Sequence, residues 1–511
     1  MATSSKIKNG KQLSVLGALI KNLREERGIT QAEFAARLGT TQSAVARIES
    51  GQQNVSTRLL SRVSAVLEKD VIQVGTGAIN LQIEGGHKLS GTIAVKTSKN
   101  SAMGLLCASL LNKGQTTLAR VPKIEEVFRM IEVFQSIGVS VRWEQDDLVI
   151  RPPEWFDLAR MNRASAEKTR SVIMLIAPLS HLLKKFSIPH PGGCRLGNRT
   201  VRPHFYALEN LGVDIKTTHG DYKVHIGKPR NREVVLYESG DTVTENALMR
   251  ATRLKGKTVI KYASANYQVQ DLCFFLEQLG VKVEGVGTTT LVVTGKEQIS
   301  ADIRYEISED PIEAMFMLAT AIVTKSNITI QGCPADFLEL ELLRLKKMGF
   351  RYRASKRYKA RNGKTDLVDI ETLPSKLHSL EEKIDARPYP GLNIDNLPFF
   401  AAVATQAKGQ TFIHDWVYEG RAIYYKELDK LGADVILADP HRVYINGPTE
   451  LKASEIICPP ALRPAAIILI CMLAAKGISV LRNIYSINRG YEDLVRRLNG
   501  LGAHIKILRE S

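Results

Sequence analysis

The chain has 511 residues, of which 44% are hydrophobic, 6% aromatic and 24% charged. This ordinary globular composition excludes collagen-like, coiled-coil and wholly disordered proteins, and at about 150 residues per domain the length suggests about three domains. Lysine and arginine total 70 against 53 aspartates and glutamates, a formal net charge of +17. An excess of that size favours an anionic partner, whether nucleic acid, a phosphorylated metabolite or a membrane surface.

Membrane-spanning and disulfide-rich classes are also excluded. The longest strongly apolar run covers residues 465–475 and is shorter than the ~20 residues that a membrane-spanning helix needs. The amino-terminal segment becomes charged where a signal peptide would become apolar. Six cysteines are scattered without a CxxC pair, which argues against a zinc ribbon and a disulfide scaffold. We therefore expect a protein of the reducing cytoplasm.

The basic excess is unevenly distributed. Residues 1–75 hold 11 Lys/Arg and 6 Asp/Glu, a net +5, and the remaining 436 residues carry +12. The amino-terminal piece is denser in positive charge, although most of the excess lies elsewhere. Two kinds of anionic partner are therefore compatible with the chain.

The first elements in chain order are short helices. Apolar residues at helical spacing over 16–23 predict a first helix. Thr30 and Glu33 fit a capping box at the start of a second helix. Gly39 then fits the left-handed turn that ends this helix.

Two more helices complete this region. Thr41 begins a short helix that stops at Gly51, and apolar residues over 59–67 predict another. Two short helices around a tight glycine turn make a helix-turn-helix. Residues 71–78 have the composition of a linker.

The string ITQAEFAARLGTTQSAVARIESG resembles the XRE/phage-repressor family of helix-turn-helix domains, over roughly residues 13–70. The resemblance implies that Gln42, Ser43 and Arg47 face the DNA major groove and that Gln31 touches a phosphate. Glutamine pairs with adenine and arginine with guanine through two hydrogen bonds. The alternative is a small dimerisation or tethering module that has lost DNA binding. Specific binding would need a homodimer.

Past residue 78 the chain repeats itself. A glycine between apolar residues follows a helical pattern and precedes an alternating one six times, at intervals of 68 to 83 residues. The six glycines are Gly138, Gly212, Gly280, Gly349, Gly432 and Gly502. Each fits a left-handed helix end followed by a half-buried strand.

Six such units, taken three and three, predict two similar α/β domains with a cleft between them. A solenoid is the alternative, but these units are longer than the common solenoid repeats. Two domains around a cleft suit a ligand that drives closure.

Five motifs stand on these repeats: TSKNSA at 97–102, HPGGCRLGNR at 190–199, EDPIE at 309–313, EGR at 419–421 and IYSINRGYEDLVRRLNGLGA at 484–503. With them, residues 79–509 resemble the enolpyruvyl transferases. The resemblance implies an α/β fold of two inside-out barrel domains with three repeats each. Domain I would cover 99–303 and domain II 304–511 plus 78–98, preceded by a small all-α helix-turn-helix domain over 1–75.

The resemblance also implies an activity. Within the family, the motifs resemble those of the members that transfer the enolpyruvyl group of phosphoenolpyruvate to the 3-hydroxyl of UDP-N-acetylglucosamine, the first committed step of peptidoglycan precursor synthesis, and release phosphate. Such chemistry needs fixed positive charge, one acid and one base. Neither a cofactor nor a metal is expected.

Three residues receive catalytic roles by this resemblance. Cys194 is the general acid that protonates the enol methylene, and the positive charge of loop arginines lowers the pKa of a thiol. Asp310 takes the base role toward the 3-hydroxyl, although a proline after an acid is also an ordinary helix start. Lys99 binds the carboxylate and phosphate of phosphoenolpyruvate.

Five residues receive substrate-binding roles. Asn100 orients the sugar, and Arg199 and Arg421 clamp phosphate and carboxylate with their planar guanidinium forks. Arg170 steadies the closed loop. Asp395 matches a family aspartate near the second-domain site.

The chain departs from the family pattern in places. Arg202 stands where the family usually has an aspartate that helps to recognise uridine, and Gln268, Pro311 and Lys346 replace common charged residues. Two alternatives stay open: a transcriptional regulator whose degenerate enzyme body senses a nucleotide sugar, and a transferase for another nucleotide or sugar acceptor. Arg202 is the main feature that favours the second.

Overall fold

In the computed structural model of the chain, the residues described are 17, 18, 20–25, 27–50, 59, 63, 66, 79–192 and 200–509. The chain divides into two compact units, with the boundary between Ala78 and Ile79. Each unit is described by itself.

The amino-terminal unit contains helices α1 (Gln31–Leu38) and α2 (Gln42–Glu49). The predicted capping box is confirmed: the Thr30 hydroxyl accepts from the Glu33 backbone at 3.3 Å, and the Glu33 carboxylate accepts from the Thr30 backbone at 2.8 Å. Gly39 has φ 60°, the predicted left-handed end of α1. Thr41 caps α2.

Helical residues flank this pair. Residues 17, 18 and 20–25 are helical, as are 59, 63 and 66. The buried side chains form a small apolar core: Ile20, Leu23, Ile29, Phe34, Ala35, Leu38, Val45, Ile48 and Val63. The predicted helix end at Gly51 and the linker at 71–78 lie outside the described residues.

The second unit alternates helices and strands. Its α-helices are α3 (Lys99–Ser109), α4 (Glu125–Ser136), α5 (Arg163–Ala166), α6 (Ile176–Leu179), α7 (Arg202–Glu209), α8 (Asp241–Ala251), α9 (Tyr267–Gln278), α10 (Pro311–Val323), α11 (Glu339–Lys347), α12 (Leu397–Ala404), α13 (Leu462–Ala474), α14 (Tyr485–Asn488) and α15 (Leu494–Asn499). Short 3₁₀ helices cover Leu158–Arg160, Arg170–Leu175, Ala335–Phe337 and Ala422–Leu431.

The strands of this unit are β1 (Ile79–Gly85), β2 (Ser90–Ala94), β3 (Thr116–Ala119), β4 (Ser140–Glu144), β5 (Asp147–Arg151), β6 (Lys185–Pro189), β7 (Val213–Thr217), β8 (Asp221–Ile226), β9 (Glu233–Val235), β10 (Gly256–Lys261), β11 (Lys282–Glu284), β12 (Thr290–Gly295), β13 (Ile303–Glu306), β14 (Asn327–Pro334), β15 (Arg351–Ala354), β16 (Tyr358–Lys359), β17 (Asp366–Leu373), β18 (Ile384–Asp385), β19 (Gly409–His414), β20 (Asp434–Asp439), β21 (Arg442–Gly447), β22 (Glu455–Ile457), β23 (Gly477–Arg482) and β24 (His504–Arg509). They form six sheets, with strand orders β22-β23-β1-β24, β11-β12-β10-β9, β13-β3-β5-β4, β15-β17-β14-β2, β18-β19-β21-β20 and β6-β8-β7, and β16 pairs with β17.

Each sheet corresponds to one predicted repeat. The six repeat glycines precede β4, β7, β11, β15, β20 and β24, one strand in each sheet. Their φ angles lie between 79° and 97°, a region in which side chains other than glycine are strained. The prediction of six copies, each ending a helix at a left-handed glycine, is therefore confirmed.

Strands are exchanged between distant parts of the chain. β1 pairs antiparallel with β23, so that Leu81 lies opposite Leu481. β2 pairs parallel with β14, and β13 pairs parallel with β3. The first of these exchanges brings both ends of the unit into one sheet.

Two large hydrophobic clusters fill the unit. One draws on residues between Ala102 and Ile307, and the other draws on residues 81–95 and 312–505 together with Tyr267. The chain passes from one cluster to the other near 96–101 and again near 308–311. The division of the whole chain into three domains with the predicted boundaries stays a prediction.

The long apolar run at 465–475 lies mostly in α13, whose residues from Arg463 to Leu473 are buried. Among the described residues, no helix combines the length and apolar character needed to cross a membrane.

Candidate active site

A cavity of about 880 Å³ opens in the second unit. Five of the predicted site residues line it: Lys99, Asn100, Arg170, Asp395 and Arg421. They come from motifs spread over more than 300 residues of sequence, so the fold gathers them. Three other predicted residues are not part of the lining as described: Asp310 is described but does not line it, and Cys194 and Arg199 fall outside the described residues.

The TSKNSA motif begins α3. Ser98 is its N-cap, and its hydroxyl accepts from the Ser101 backbone at 3.2 Å. Lys99 and Asn100 occupy the first turn, at the cavity wall. The Asn100 amide donates to the Tyr267 hydroxyl at 3.2 Å, which fixes its direction.

Lys99 faces a buried acid. Its Nζ lies 3.9 Å from Oε2 of Glu126, and Arg489 donates to the same oxygen through Nε at 3.0 Å and Nη2 at 2.8 Å. Burial alone would raise the pKa of Glu126, but the charges of Lys99 and Arg489 hold it below its ordinary value. The acid therefore stays ionised and positions both cations.

Arg421 is held rigidly below the cavity surface. Its Nε and Nη2 donate to Asp415 at 2.6 and 2.7 Å, and Nη2 also donates to the Ile394 carbonyl at 2.9 Å. The Tyr418 ring lies 4.6 Å from its guanidinium carbon. Burial opposes the charge, but Asp415 raises the pKa of Arg421, so it stays a cation. Among the described residues, its Nη1 has no hydrogen-bond partner.

Asp395 lies between two arginines. Arg463 donates to it through Nη2 at 3.3 Å, and Nη1 of Arg421 lies 4.0 Å away. Burial alone would raise the pKa of Asp395, but these two charges hold it below its ordinary value. Arg463 also donates to the Tyr491 hydroxyl at 3.0 Å.

Asp310 has a different environment. Its Oδ1 accepts from the backbone of Ile312 at 2.8 Å and of Glu313 at 3.4 Å, so it caps α10. It is only 7% exposed. Burial raises the pKa of Asp310 to about 6, although the charge of Arg463 opposes the rise. Its placement fits an ordinary helix start as well as a base.

Glu126, Arg463 and Arg489 are residues of the site that were not predicted from the sequence. Arg489 stands inside a quoted motif, which was the available signal. Glu126 and Arg463 lie in ordinary helical patterns, and only the tertiary structure brings them to the cavity.

The departures from the family pattern are also placed. Gln268 lines the cavity and is buried. Arg170, which is not a departure but a residue assigned by the resemblance, also lines the cavity and donates through Nη2 to the Thr200 carbonyl at 3.0 Å. Arg202 is exposed at the start of α7. Lys346 lies on α11.

In the amino-terminal unit, Gln42, Ser43 and Arg47 are exposed on α2. Gln31 behaves differently, because its amide donates to Oε2 of Glu49 at 2.8 Å. Glu49 also accepts two hydrogen bonds from the buried Arg24, at 2.6 and 3.0 Å. Gln31 therefore ties α1 to α2, and its contact with a DNA phosphate stays a prediction.

Known proteins share the sequence and the architecture of this chain. The chain matches the family described as EPSP synthase (3-phosphoshikimate 1-carboxyvinyltransferase) over residues 83–498, and a helix-turn-helix family over residues 20–73. The proteins named UDP-N-acetylglucosamine 1-carboxyvinyltransferase from Treponema pallidum and Bacteroides thetaiotaomicron are 32% and 31% identical. Each alignment covers 83% of this chain and 98% of the relative.

Solved structures share the fold. The enolpyruvyl transferase NikO from Streptomyces tendae superposes with a TM-score of 0.74 at 22% identity, over 85% of this chain and all of that one. EPSP synthase from Acinetobacter baumannii gives a TM-score of 0.65 at 18% identity, over 84% of this chain. The predicted inside-out α/β fold with amino-terminal helix-turn-helix helices is confirmed, and the chain belongs to the EPSP synthase family of enolpyruvyl transferases.

Proposed function

We propose that this protein transfers the enolpyruvyl group of phosphoenolpyruvate to the 3-hydroxyl of UDP-N-acetylglucosamine and releases phosphate. The observation that carries the proposal is the convergence of Lys99, Asn100, Asp395 and Arg421 on one cavity. The relatives named UDP-N-acetylglucosamine 1-carboxyvinyltransferase match this chain over nearly their whole length, which supports the same substrates here.

Phosphoenolpyruvate would bind through fixed cations. Arg421 lines the cavity and is held by Asp415, and its Nη1 lies 4.0 Å from Asp395. Lys99 supplies a second cation, and Arg199 is proposed as a third. A planar guanidinium matches a carboxylate or phosphate with two parallel hydrogen bonds, which Arg199 would supply. Arg421 would contribute Nη1, the one nitrogen that has no hydrogen-bond partner among the described residues, while Lys99 neutralises the substrate.

The reaction needs two proton transfers. The 3-hydroxyl oxygen bonds to C2 of phosphoenolpyruvate and loses its proton to a base, while Cys194 donates a proton to C3. A proton then leaves C3 of the methyl group formed and returns to the thiolate of Cys194, the C2–O bond to phosphate breaks with its electron pair on the phosphate oxygen, and the enol ether remains. The proton held by the base leaves with the phosphate. No electrons are gained or lost overall. Asn100 and Arg170 would orient the sugar and hold the closed site.

Two carboxylates compete for the base role. Asp310, assigned by resemblance, has the pKa better suited to accepting a proton near neutrality. Asp395 lines the cavity, where the acceptor would lie, while Asp310 does not. Because a base must reach the proton that it removes, the cavity lining favours Asp395. Separate substitutions decide between them.

The activity is tested by measuring phosphate release from phosphoenolpyruvate with UDP-N-acetylglucosamine, in the full chain and in Cys194→Ala. Turnover that Cys194→Ala abolishes supports the proposal. Nucleotide-sugar binding without turnover would support the regulator that only senses the sugar. Turnover with another nucleotide sugar alone would support the acceptor change that Arg202 suggests.

The helix-turn-helix unit is proposed to bind DNA, as a homodimer, through Gln42, Ser43 and Arg47. Their exposure on α2 supports this role. Arg47→Ala in the full chain should weaken binding of genomic fragments, whereas Arg160→Ala, an exposed arginine of the other unit, should not. Equal loss in both variants, or in neither, would contradict the assignment. The reducing cytoplasm remains the proposed location.

A further inference from the structure

A cluster of metal-ligating side chains lies apart from the cavity. Glu84, His87 and His504 each offer one ligand atom, and these atoms all lie within 4.8 Å of one another. The described lining of the cavity includes none of the three. Neither the transfer reaction nor the DNA-binding unit accounts for them.

The backbone holds the three side chains together. Glu84 is on β1 and His504 is on the neighbouring strand β24. Ile83 and Ile505, beside them in sequence, are buried, so the alternation of each strand turns Glu84 and His504 to the same outer face. Glu84 and His504, which are 420 residues apart in sequence, thus lie close together on the sheet.

His87 reaches the pair because the chain turns sharply after β1. Gly86 has φ 86°, and its backbone donates to the Leu473 carbonyl at 2.9 Å. A Cβ at Gly85 would lie 2.1 Å from the Met472 carbonyl oxygen, so the turn packs directly on the end of α13. This packing fixes the point from which His87 extends back over Glu84.

The distances suit a small tetrahedral ion. His87 Nε2 lies 3.3 Å from Glu84 Oε1, and His504 Nδ1 lies 3.9 Å from Glu84 Oε2. The two imidazole rings are 4.2 Å apart between centroids. Bonds of ~2.0–2.1 Å in a tetrahedral zinc site place ligand atoms ~3.4 Å apart, so shifts of less than ~1 Å complete the geometry.

We propose that Glu84, His87 and His504 bind a divalent transition metal ion of the zinc type, which ties the first strand of the second unit to the last. Two imidazoles and a carboxylate suit zinc, whereas magnesium and calcium prefer oxygen ligands alone. The three side chains are 40–55% exposed, so water would complete the coordination. The ion would stabilise β24 on β1 by binding the folded chain alone.

The test uses the full chain with Cys194→Ala as background, so that the proposed catalytic thiol supplies no ligand. Cobalt is titrated and its visible absorption is recorded for this protein and for three further variants. His504→Ala and Glu84→Gln remove a ligand each, and His225→Ala, an exposed histidine on β8, is the matched control. We expect one tetrahedral cobalt equivalent in the background and in His225→Ala, with affinity lowered ~10-fold or more in the other two.

Hydrogen exchange supplies the second measurement. Zinc should slow exchange of the amides in 79–85 and 504–509 in the background and control proteins, and not in His504→Ala or Glu84→Gln. Unchanged cobalt stoichiometry and affinity in both ligand variants would overturn the proposal. So would zinc binding that leaves exchange in these two strands unaltered, because the ion would then sit elsewhere.

Discussion

Replacing Asp310 by asparagine separates its chemical role from its structural one. Asparagine keeps the side-chain oxygen that caps α10, so the helix start should survive. Burial raises the pKa of Asp310 from 3.8 to about 6, and about two units correspond to about 3 kcal/mol. Since the folded chain binds this proton more tightly than the unfolded chain, ionisation of Asp310 destabilises the fold. That cost is absent below about pH 4, grows up to about pH 6 and is complete above it.

Asp310→Asn should therefore be more stable than the wild type at pH 8, by up to about 3 kcal/mol, with a gap that closes on acidification. Denaturant unfolding at pH 4 and pH 8 measures this. If Asp310 is also the base, the same substitution lowers kcat by about 10²–10⁴-fold, and wild-type kcat falls as the pH drops through about 6. An Asp310→Asn variant that is more stable than the wild type but has lost turnover would show that Asp310 serves the reaction at a cost to stability.

Asp395→Asn is the comparison. Arg463 and Arg421 hold the pKa of Asp395 below its ordinary value, so a rate that depends on Asp395 stays flat as the pH falls to about 5. Neither carboxylate is the base if each asparagine variant, shown to be folded by a cooperative unfolding transition, keeps kcat within about tenfold of the wild type.

Three other substitutions test the packing and the site. Arg489→Lys cannot reproduce the two hydrogen bonds that Arg489 donates to Glu126. Glu126 should then draw Lys99 toward itself, and the KM for phosphoenolpyruvate should rise about 10-fold. An unchanged KM would show that phosphoenolpyruvate binding does not depend on this contact. Gly104→Ala places a Cβ 2.5 Å from Oε1 of the buried Glu245 and should lower the free energy of unfolding by about 1–3 kcal/mol, whereas wild-type stability would mean that Glu245 moves freely. Thr30→Ala removes half of the capping box and should destabilise the amino-terminal unit by about 1 kcal/mol, as measured by thermal unfolding. Thr30→Ser keeps a hydroxyl and should retain most of the stability. An equal loss of stability in both variants would contradict a capping role.

Features fixed by local chemistry were readable from the sequence. The six repeat glycines are predictable because each must adopt a positive φ at a helix end. Thr30 and Glu33 likewise predict a helix start, because the capping box depends on residues only three positions apart. The motif containing Lys99 and Asn100 could be read through the family resemblance because its residues are contiguous in sequence, and in the structure both lie in the first turn of α3.

Features fixed by distant contacts were not. Glu126 lies on the buried face of an ordinary amphipathic helix, and nothing near it in sequence reveals Arg489, 363 residues away. Asp415 was missed for the same reason, although it holds Arg421. The order in which β13 joins β3 and β2 joins β14 also depends on long-range pairing that periodicity does not encode.

Net charge alone does not explain how the cavity would bind anions. Its described lining has six cationic residues (Lys99, Arg170, Arg387, Arg421, Arg463 and Arg489) and eight acidic ones (Glu126, Glu238, Asp241, Asp336, Glu339, Glu341, Asp395 and Glu419). Arg421, Arg463 and Arg489 are already hydrogen-bonded to carboxylates. These partner carboxylates keep the buried guanidinium groups charged and fix their orientation. Recognition of an anion then depends on donors that the carboxylates leave without a partner, such as Nη1 of Arg421 among the described residues. The overall basic excess of the chain therefore belongs mostly to its solvated surface, and selectivity belongs to the geometry of a few paired cations.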